Sequence, residues 1–378
     1  MSHVYLLTIS KKGERKIMED KKDLKFLPRF SYTKLDCEDQ CGWKYKLQYV
    51  DKNYIFEDTL ATELGTLTHA VLEAIARDIM AGREIDYAKY KDMFVNIDKP
   101  KEEKKADITA PSTSSKDDGS NIFGVKILSK KYREEFYDID PVTGDSYYQK
   151  CQQFLAKGIY GLENFMKENP DLEIYDVEHE FLVPYEVEID GVKTTVALYG
   201  FIDRILRNKK TGEFIIEDIK TKGKPFDESK LKTPLQFVTY AIGLKTQLGL
   251  DDYPTQFYYS LPFCDNLRQQ GGTKGFIGRG IKKLNKILQE QSDKDFIPKP
   301  SPLCYWCAFS PTNPNQPEAG KYKCPYFSLW KKGGTAKSWE VLNQWEGKER
   351  HEIIMKRFLL EQQGPGKDLK VEEPDFDF

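Results

Sequence analysis

Apolar residues at Leu60, Leu64, Leu67, Val71, Ile75 and Ile79 recur at intervals of three and four. That spacing lines one face of a helix, predicted over about 58–81 and stopped by Gly82. Ser31, before Tyr-Thr-Lys-Leu35, is an N-cap signal for an earlier helix that continues through Cys41-Gly-Trp-Lys-Tyr-Lys-Leu47. Another helix is expected over about 144–167. The period then changes. Residues 172–189 read as a strand, Asp190-Gly191 as a hairpin turn and 192–206 as the returning strand. A turn signal at Asn208–Gly212 leads into a third strand over 214–220. A helix over 231–248, a fourth strand over 256–261, a basic helix over 278–291 and a late helix over 339–363 follow. Residues 1–30 are basic and mixed, with one strand-like run at Val4–Ile9. Residues 98–121 are first charged, then rich in Ser, Thr and Pro, the composition of an exposed insertion.

Composition narrows the class. With 378 residues, 39% hydrophobic and 31% charged, the chain is long and apolar enough for a sizeable core. A formal charge of −2 excludes a strongly basic scaffold protein, but leaves room for a local basic groove. No run approaches the roughly 20 apolar residues of a membrane span. The first ten residues lack the basic and apolar regions of a signal peptide, so a cytoplasmic location without a membrane is expected. Seven cysteines, an odd number in so long a chain, do not suggest a disulfide framework. Clustered thiols in a reducing compartment point to metal instead.

The candidate chemistry lies between Gly200 and Tyr240. Gly-Phe-Ile-Asp203 ends one strand segment, and Glu217-Asp218-Ile219-Lys220 lies on the next. Antiparallel pairing across the short turn brings Asp203 and Asp218 together, as a shared divalent cation requires. Lys220, two residues after Asp218, shares its strand face. The Ile219 carbonyl is a further candidate ligand. Gln236 and Tyr240 stand one turn apart on the following helix, placed to touch a nucleic-acid strand or to position Lys220. Two carboxylates suit Mg²⁺ or Mn²⁺, and a lysine can orient water or offset phosphate charge. An isolated Asp-x-Lys is usually a solvated strand edge. Here Ile215, Ile216 and Ile219 mark a buried strand, where charge is costly and therefore informative.

The ordered series Gly-x-x-Asp203, Asp218-x-Lys220 and Gln236-x-x-x-Tyr240 resembles the PD-(D/E)XK nuclease superfamily, and within it the RecB-like branch. It is similar to the nuclease domains of RecB and AddB, to CRISPR adaptation nucleases and to phage exonucleases. The resemblance spans about residues 31–327. It implies an α/β fold with a restriction-endonuclease-like core, a central mixed β-sheet flanked by helices, and metal-dependent phosphodiester hydrolysis by a metal-activated water. The branch's helical Gly-x-x-x-His-x-x-x-Glu element matches Gly65-Thr-Leu-Thr-His69-Ala-Val-Leu-Glu73, which implies His69 as a metal ligand beside Asp203 and Asp218. A glutamate on the strand before Asp203 is also implied. Glu178 and Glu180 both qualify, and strand alternation does not choose between them.

The same resemblance assigns Cys41, Cys304, Cys307 and Cys324 to a [4Fe–4S] cluster, a staple joining the chain's ends, with structural Zn²⁺ as the alternative. Cys37 is a rival to Cys41. Four segments are expected: an extension over 1–30, a nuclease core over 31–297, a cysteine segment over 298–327 closing on Cys41, and a helix and acidic tail over 328–378. Lys44, Tyr45, Lys46 and Tyr49 on one helix, and Arg279, Lys282, Lys283 and Lys286 on another, are expected to flank DNA without reading sequence. The tail Val371–Phe378 alternates acids and aromatics and is a candidate docking peptide for a replication or recombination protein. The expected activity is a DNA exonuclease acting on ends or single strands in recombination, repair or phage DNA processing. The alternatives are a structure-selective or single-strand endonuclease, a non-catalytic DNA-binding factor, and a protein whose one functional feature is its cysteine site.

Overall fold

Asp190 and Gly191 both take positive φ, 51° and 75°, the requirement of a tight type I′ hairpin turn. They join β6 (Leu172–Ile189) to β7 (Val192–Asn208), the two longest strands. The computed structural model describes residues 26–53, 60–86, 161–310 and 324–363. Short pieces at 6–9, 15–18, 121–122 and 125–126 and single positions such as Leu24, Tyr90 and Gly158 are also described. Most of the 98–121 insertion, most of the helix expected from 144, Cys151 and the acidic tail lie outside them. From the N-terminus, β1 (Leu6–Ile9) pairs antiparallel with β2 (Arg15–Met18), β3 is Arg29–Phe30, and β4 (Asn121–Ile122) pairs with β5 (Val125–Lys126). Among the described residues no helix is long and apolar enough to cross a membrane.

The chain divides into two compact units. Residues 1–29, 58–185 and 195–281 form the first, and residues 30–57, 186–194 and 282–378 the second. In the first, β8 (Phe214–Ile219) lies between β7 and β9 (Gln256–Leu261), with β10 (Leu267–Gln270) beyond β9 and β6 on the other side of β7. The sheet is mixed: β8 runs antiparallel to β7 and parallel to β9. Every residue from Ile215 to Ile219 is buried, the mark of a strand covered on both faces. Helix α3 (Leu60–Met80) packs Val71, Ile75 and Ala76 against Ile174, Val177, Leu206 and Ile215.

Helix α5 (Leu235–Leu248) follows a short helix α4 (Glu228–Leu231). The sequence suggests one helix from 231. Pro234 at φ −71° and ψ 111° is extended and restarts it, and Gly249 at φ 64° ends it with a left-handed cap. Helix α6 (Phe276–Asp293) matches the predicted basic helix.

In the second unit, the helix expected from Ser31 through Leu47 is broken. Ser31 caps α1 (Tyr32–Gln40), Cys41 is extended at φ −171°, and α2 (Gly42–Tyr45) starts again. Gly42 N donates to Ile297 O at 2.9 Å, and a Cβ at Gly42 would meet Ile297 N at 2.7 Å. That close approach needs glycine. The predicted late helix is likewise broken: α7 (Phe327–Leu342), itself kinked at Gly334 with φ 69°, ends before α8 (Gly347–Gln363), which opens on Gly347 at φ 50°. Trp43, Tyr326, Leu329, Val341, Leu342 and Ile354 form the core of this unit.

Candidate active site

The β7–β8 register pairs Arg204 with Glu217. Continued by one residue, it sets Asp203 opposite Asp218. Asp203 Oδ2 accepts the Ile219 N–H at 2.6 Å, so the backbone of the second strand orients the first carboxylate. From α3, His69 Nδ1 lies 3.8 Å from the same Oδ2. Gly65 permits this approach, since a Cβ there would already lie 3.0 Å from Thr221 Oγ1. His69, Glu178 and Asp203 each offer a ligand atom, all within 4.8 Å of one another.

The two candidate glutamates stand in different surroundings. Glu178 has φ 49° inside β6, a left-handed conformation uncommon for a non-glycine residue. Strict alternation fails there: Ile174 and Val177 are both buried, three residues apart. Asp176 holds the irregularity by accepting the Val177 N–H at 2.8 Å and contacting His179 Nδ1 at 2.7 Å. Glu178 joins the ligand group, whereas Glu180 is exposed.

Asp218 is 1% exposed. Its Oδ1 accepts from Gln236 Nε2 at 2.7 Å and from the Tyr240 hydroxyl at 3.4 Å, and Gln236 also donates to Tyr240 at 2.8 Å. Gln236 and Tyr240 therefore position this carboxylate, where the sequence suggested Lys220 or a bound strand as their target. Lys220 Nζ stands 2.5 Å from Oδ2, a close ion pair. Oδ2, buried from solvent, therefore has the Lys220 ammonium as its neighbour.

These charges are strained without a cation. Burial, then the neighbouring Asp203, pushes Asp218 up to about 7. Burial, then Asp203 and Glu73, pushes Glu178 up to about 7. Asp203 is raised, chiefly by burial. Burial lowers His69, favouring the neutral imidazole that ligates metals. Three acids held toward protonation and one neutral imidazole form a donor set suited to a hard divalent ion.

Sequence reasoning missed one charged group behind the site. Glu217 is fully buried, with Arg204 Nε at 2.5 Å and Arg268 Nε at 2.7 Å. Arg268 lies over the rings of Phe165 and Tyr258, at 3.8 and 4.5 Å. The paired arginines hold Glu217 below its usual range, against the upward push of burial. The group ties β8 to β7 through Arg204 and, across β9, to β10 through Arg268. The only sequence signal was the doublet Glu217-Asp218.

In the second unit, Cys41, Cys304, Cys307 and Cys324 line one cavity of about 170 Å³. Residues 311–323 lie outside the described set, but Cys324 N donates to Phe309 O at 2.9 Å as the chain returns. Each sulfur accepts a backbone N–H: from Lys299 at 3.5 Å for Cys41, Ser301 at 3.4 Å for Cys304, Phe309 for Cys307 and Tyr326 for Cys324. Cys37 does not line this cavity; its thiol faces Gln48 Oε1 at 3.9 Å.

The two expected DNA-flanking helices fare differently. Tyr45 is buried against Tyr49 and Phe296, at 5.2 and 6.5 Å, and is not available for stacking on bases. Lys46 pairs with Asp51 at 2.6 Å, Lys283 with Asp39 at 2.6 Å and Lys286 with Glu290 at 3.6 Å. Arg279 is spent on its own loop, donating to Lys274 O at 2.8 Å and Thr273 Oγ1 at 2.6 Å.

No curated protein matches the chain. A solved structure titled "Crystal structure of SSO0001" aligns over 45% of this chain and 77% of its own, at 16% identity and a TM-score of 0.24, too low to transfer fold or function. The profile of the PD-(D/E)XK nuclease superfamily, by contrast, matches residues 29–312, which include every residue of the acid–lysine site. The chain belongs to the PD-(D/E)XK nuclease superfamily.

Proposed function

We propose that this protein is a Mg²⁺- or Mn²⁺-dependent DNA exonuclease. The observation that carries the reading is the convergence of His69, Glu178 and Asp203 within 4.8 Å, with the Asp218–Lys220 pair on the strand beside Asp203. His69, Glu178, Asp203 and Asp218 would hold the cation, with the Ile219 carbonyl as a further candidate. When bound, the cation lowers the pKa of water and neutralises charge on the phosphate. Gln236 and Tyr240 fix one oxygen of Asp218 and leave the other turned toward Lys220. The Lys220 ammonium can leave its ion pair to meet negative charge building on the phosphate. Burial of Asp218 and Asp203 excludes water and strengthens these contacts.

The test is digestion of end-labelled linear and closed circular DNA with Mn²⁺, comparing wild type with Lys220→Ala. Loss of linear DNA alone, reduced about 10²-fold or more by the substitution, is the expected result. Cut circles would make the protein an endonuclease, and intact linear and circular DNA would make it a binding factor.

The cysteine cavity supports a [4Fe–4S] cluster held by Cys41, Cys304, Cys307 and Cys324. Four thiols face one space, and four backbone N–H groups aim at their sulfurs, which suits thiolate ligands. Without a metal, burial raises Cys304 to about 11 and also raises Cys307 and Cys324, so a cation is needed to hold the set deprotonated. Iron and acid-labile sulfide in the purified protein are expected. Zinc without sulfide would identify the site as structural zinc.

A further inference from the structure

We infer that Lys224, Lys230, Lys232 and Lys274 form a phosphate-contacting rail beside the acid–lysine site and hold the DNA backbone without reading its sequence. The inference rests on the nuclease reading and adds where the strand is held. Residues 220–232 carry five lysines against Asp227 and Glu228, in a chain whose total charge is −2. Such local asymmetry marks an electrostatic footprint for a polyanion. Lys224, Lys230, Lys232 and Lys274 are exposed, and none has an ion-pair partner among the described residues. Elsewhere in the same unit the exposed lysines Lys167 and Lys210 are paired with Glu163 and Asp171, each at 2.6–2.7 Å. Among the described residues the four rail cations, like exposed Lys209, have no such partner.

The segment is also held in place. It leaves β8 directly after Lys220, whose N–H donates to Ser260 O at 2.9 Å. Lys222 O accepts the Cys264 thiol at 3.4 Å, and Lys222 Nζ lies 3.8 Å over the Phe226 ring. The Phe226 ring packs at a tilt of 38° against Tyr259, 4.4 Å between centroids, and its backbone is clamped by Gln269, which accepts from N at 2.7 Å and donates to O at 3.2 Å. Lys274 comes from a second segment tied to the first. Gly272 N donates to Leu231 O at 2.6 Å, and Thr273 donates to Lys232 O through N at 3.1 Å and Oγ1 at 3.2 Å. Arg279 braces the junction through Thr273 and Lys274. Four unpaired cations on two interlocked backbone segments lose little freedom on meeting a strand of phosphates. No base-reading motif accompanies them, so the contact is to the backbone.

The test is anisotropy titration of a fluorescein-labelled single-stranded oligodeoxynucleotide in EDTA over a salt series, with digestion in Mn²⁺ alongside. The variant carries Lys224→Ala, Lys230→Ala, Lys232→Ala and Lys274→Ala. The control carries Lys167→Ala and Lys210→Ala, and thermal melts confirm that both fold. The rail predicts a salt slope lower by about 0.7 per lysine, roughly 3 in all, and affinity at least about tenfold weaker near 0.1 M salt. The control should keep the wild-type slope. A quadruple variant with wild-type slope and affinity overturns the rail while leaving the nuclease reading intact. A wild type that binds through the rail but does not cut overturns the nuclease reading alone. A wild type that neither binds nor cuts overturns both.

Discussion

Glu178 and Glu180 differ by two positions in sequence and by their whole environment in the fold. Glu178, at a left-handed φ of 49°, lies within 4.8 Å of the candidate ligand atoms of His69 and Asp203, while Glu180 is exposed. Glu178→Gln should weaken Mn²⁺ binding at least about tenfold by calorimetric titration. Glu180→Gln should leave it unchanged, and equal losses from the two would remove Glu178 from the ligand set. Asp203, Asp218 and Lys220 were legible in the sequence because strand period and a short turn dictate their meeting. Glu178 was not, because alternation is the tool that a residue at positive φ defeats. Tyr45 was misread for a related reason: an aromatic between lysines is equally the pattern of a half-buried helix face.

At the level of elements, α5 carries Gln236 and Tyr240, and its seating depends on glycine. Phe181 of β6 is fully buried and meets Tyr240 edge-on at 6.1 Å. A Cβ at Gly243 would lie 2.5 Å from the Phe181 ring, and one at Gly200 would lie 3.0 Å from it. Alanine at 243 gains about 1 kcal/mol of helix propensity but overpacks the core by about 1–3 kcal/mol. We expect a net loss on the order of 1 kcal/mol by denaturant unfolding, with reduced activity as Gln236 and Tyr240 shift. Gly278→Ala in α6, where no atom lies within 4 Å of the new Cβ, should instead be neutral or stabilise by up to about 1 kcal/mol. If both substitutions stabilise, the seating argument fails. Helix and strand periods revealed these elements in the sequence. The breaks at Cys41 and Pro234 were hidden, because they come from contacts distant in sequence or from one proline overriding a helical pattern.

For the molecule as a whole, the site is a source of instability that the proposed cation would offset. Glu178 and Asp218 are raised to about 7 in the fold, against ordinary carboxylate values near 4 in the unfolded chain. Between those values the folded state binds more protons than the unfolded state, so stability falls as pH rises from about 4 to 7. Metal-free protein should therefore melt lower at pH 8 than at pH 5, by on the order of 5 °C from this source. A divalent ion competes with those protons for the same oxygens. Added Mn²⁺ should raise the melting temperature strongly at pH 8 and little at pH 5. Asp218→Asn should flatten both dependences, because the group that titrates, and that is proposed to ligate, is gone. Glu217→Gln makes the contrast, since it breaks a buried pairing with Arg204 and Arg268 and should destabilise by roughly 3–5 kcal/mol at every pH above the carboxylate range, with or without Mn²⁺. Differential scanning at two pH values, with EDTA or Mn²⁺, separates the two buried acids that sit side by side on β8. A metal response that is equal at pH 5 and pH 8 would mean that the cation binds somewhere other than these carboxylates.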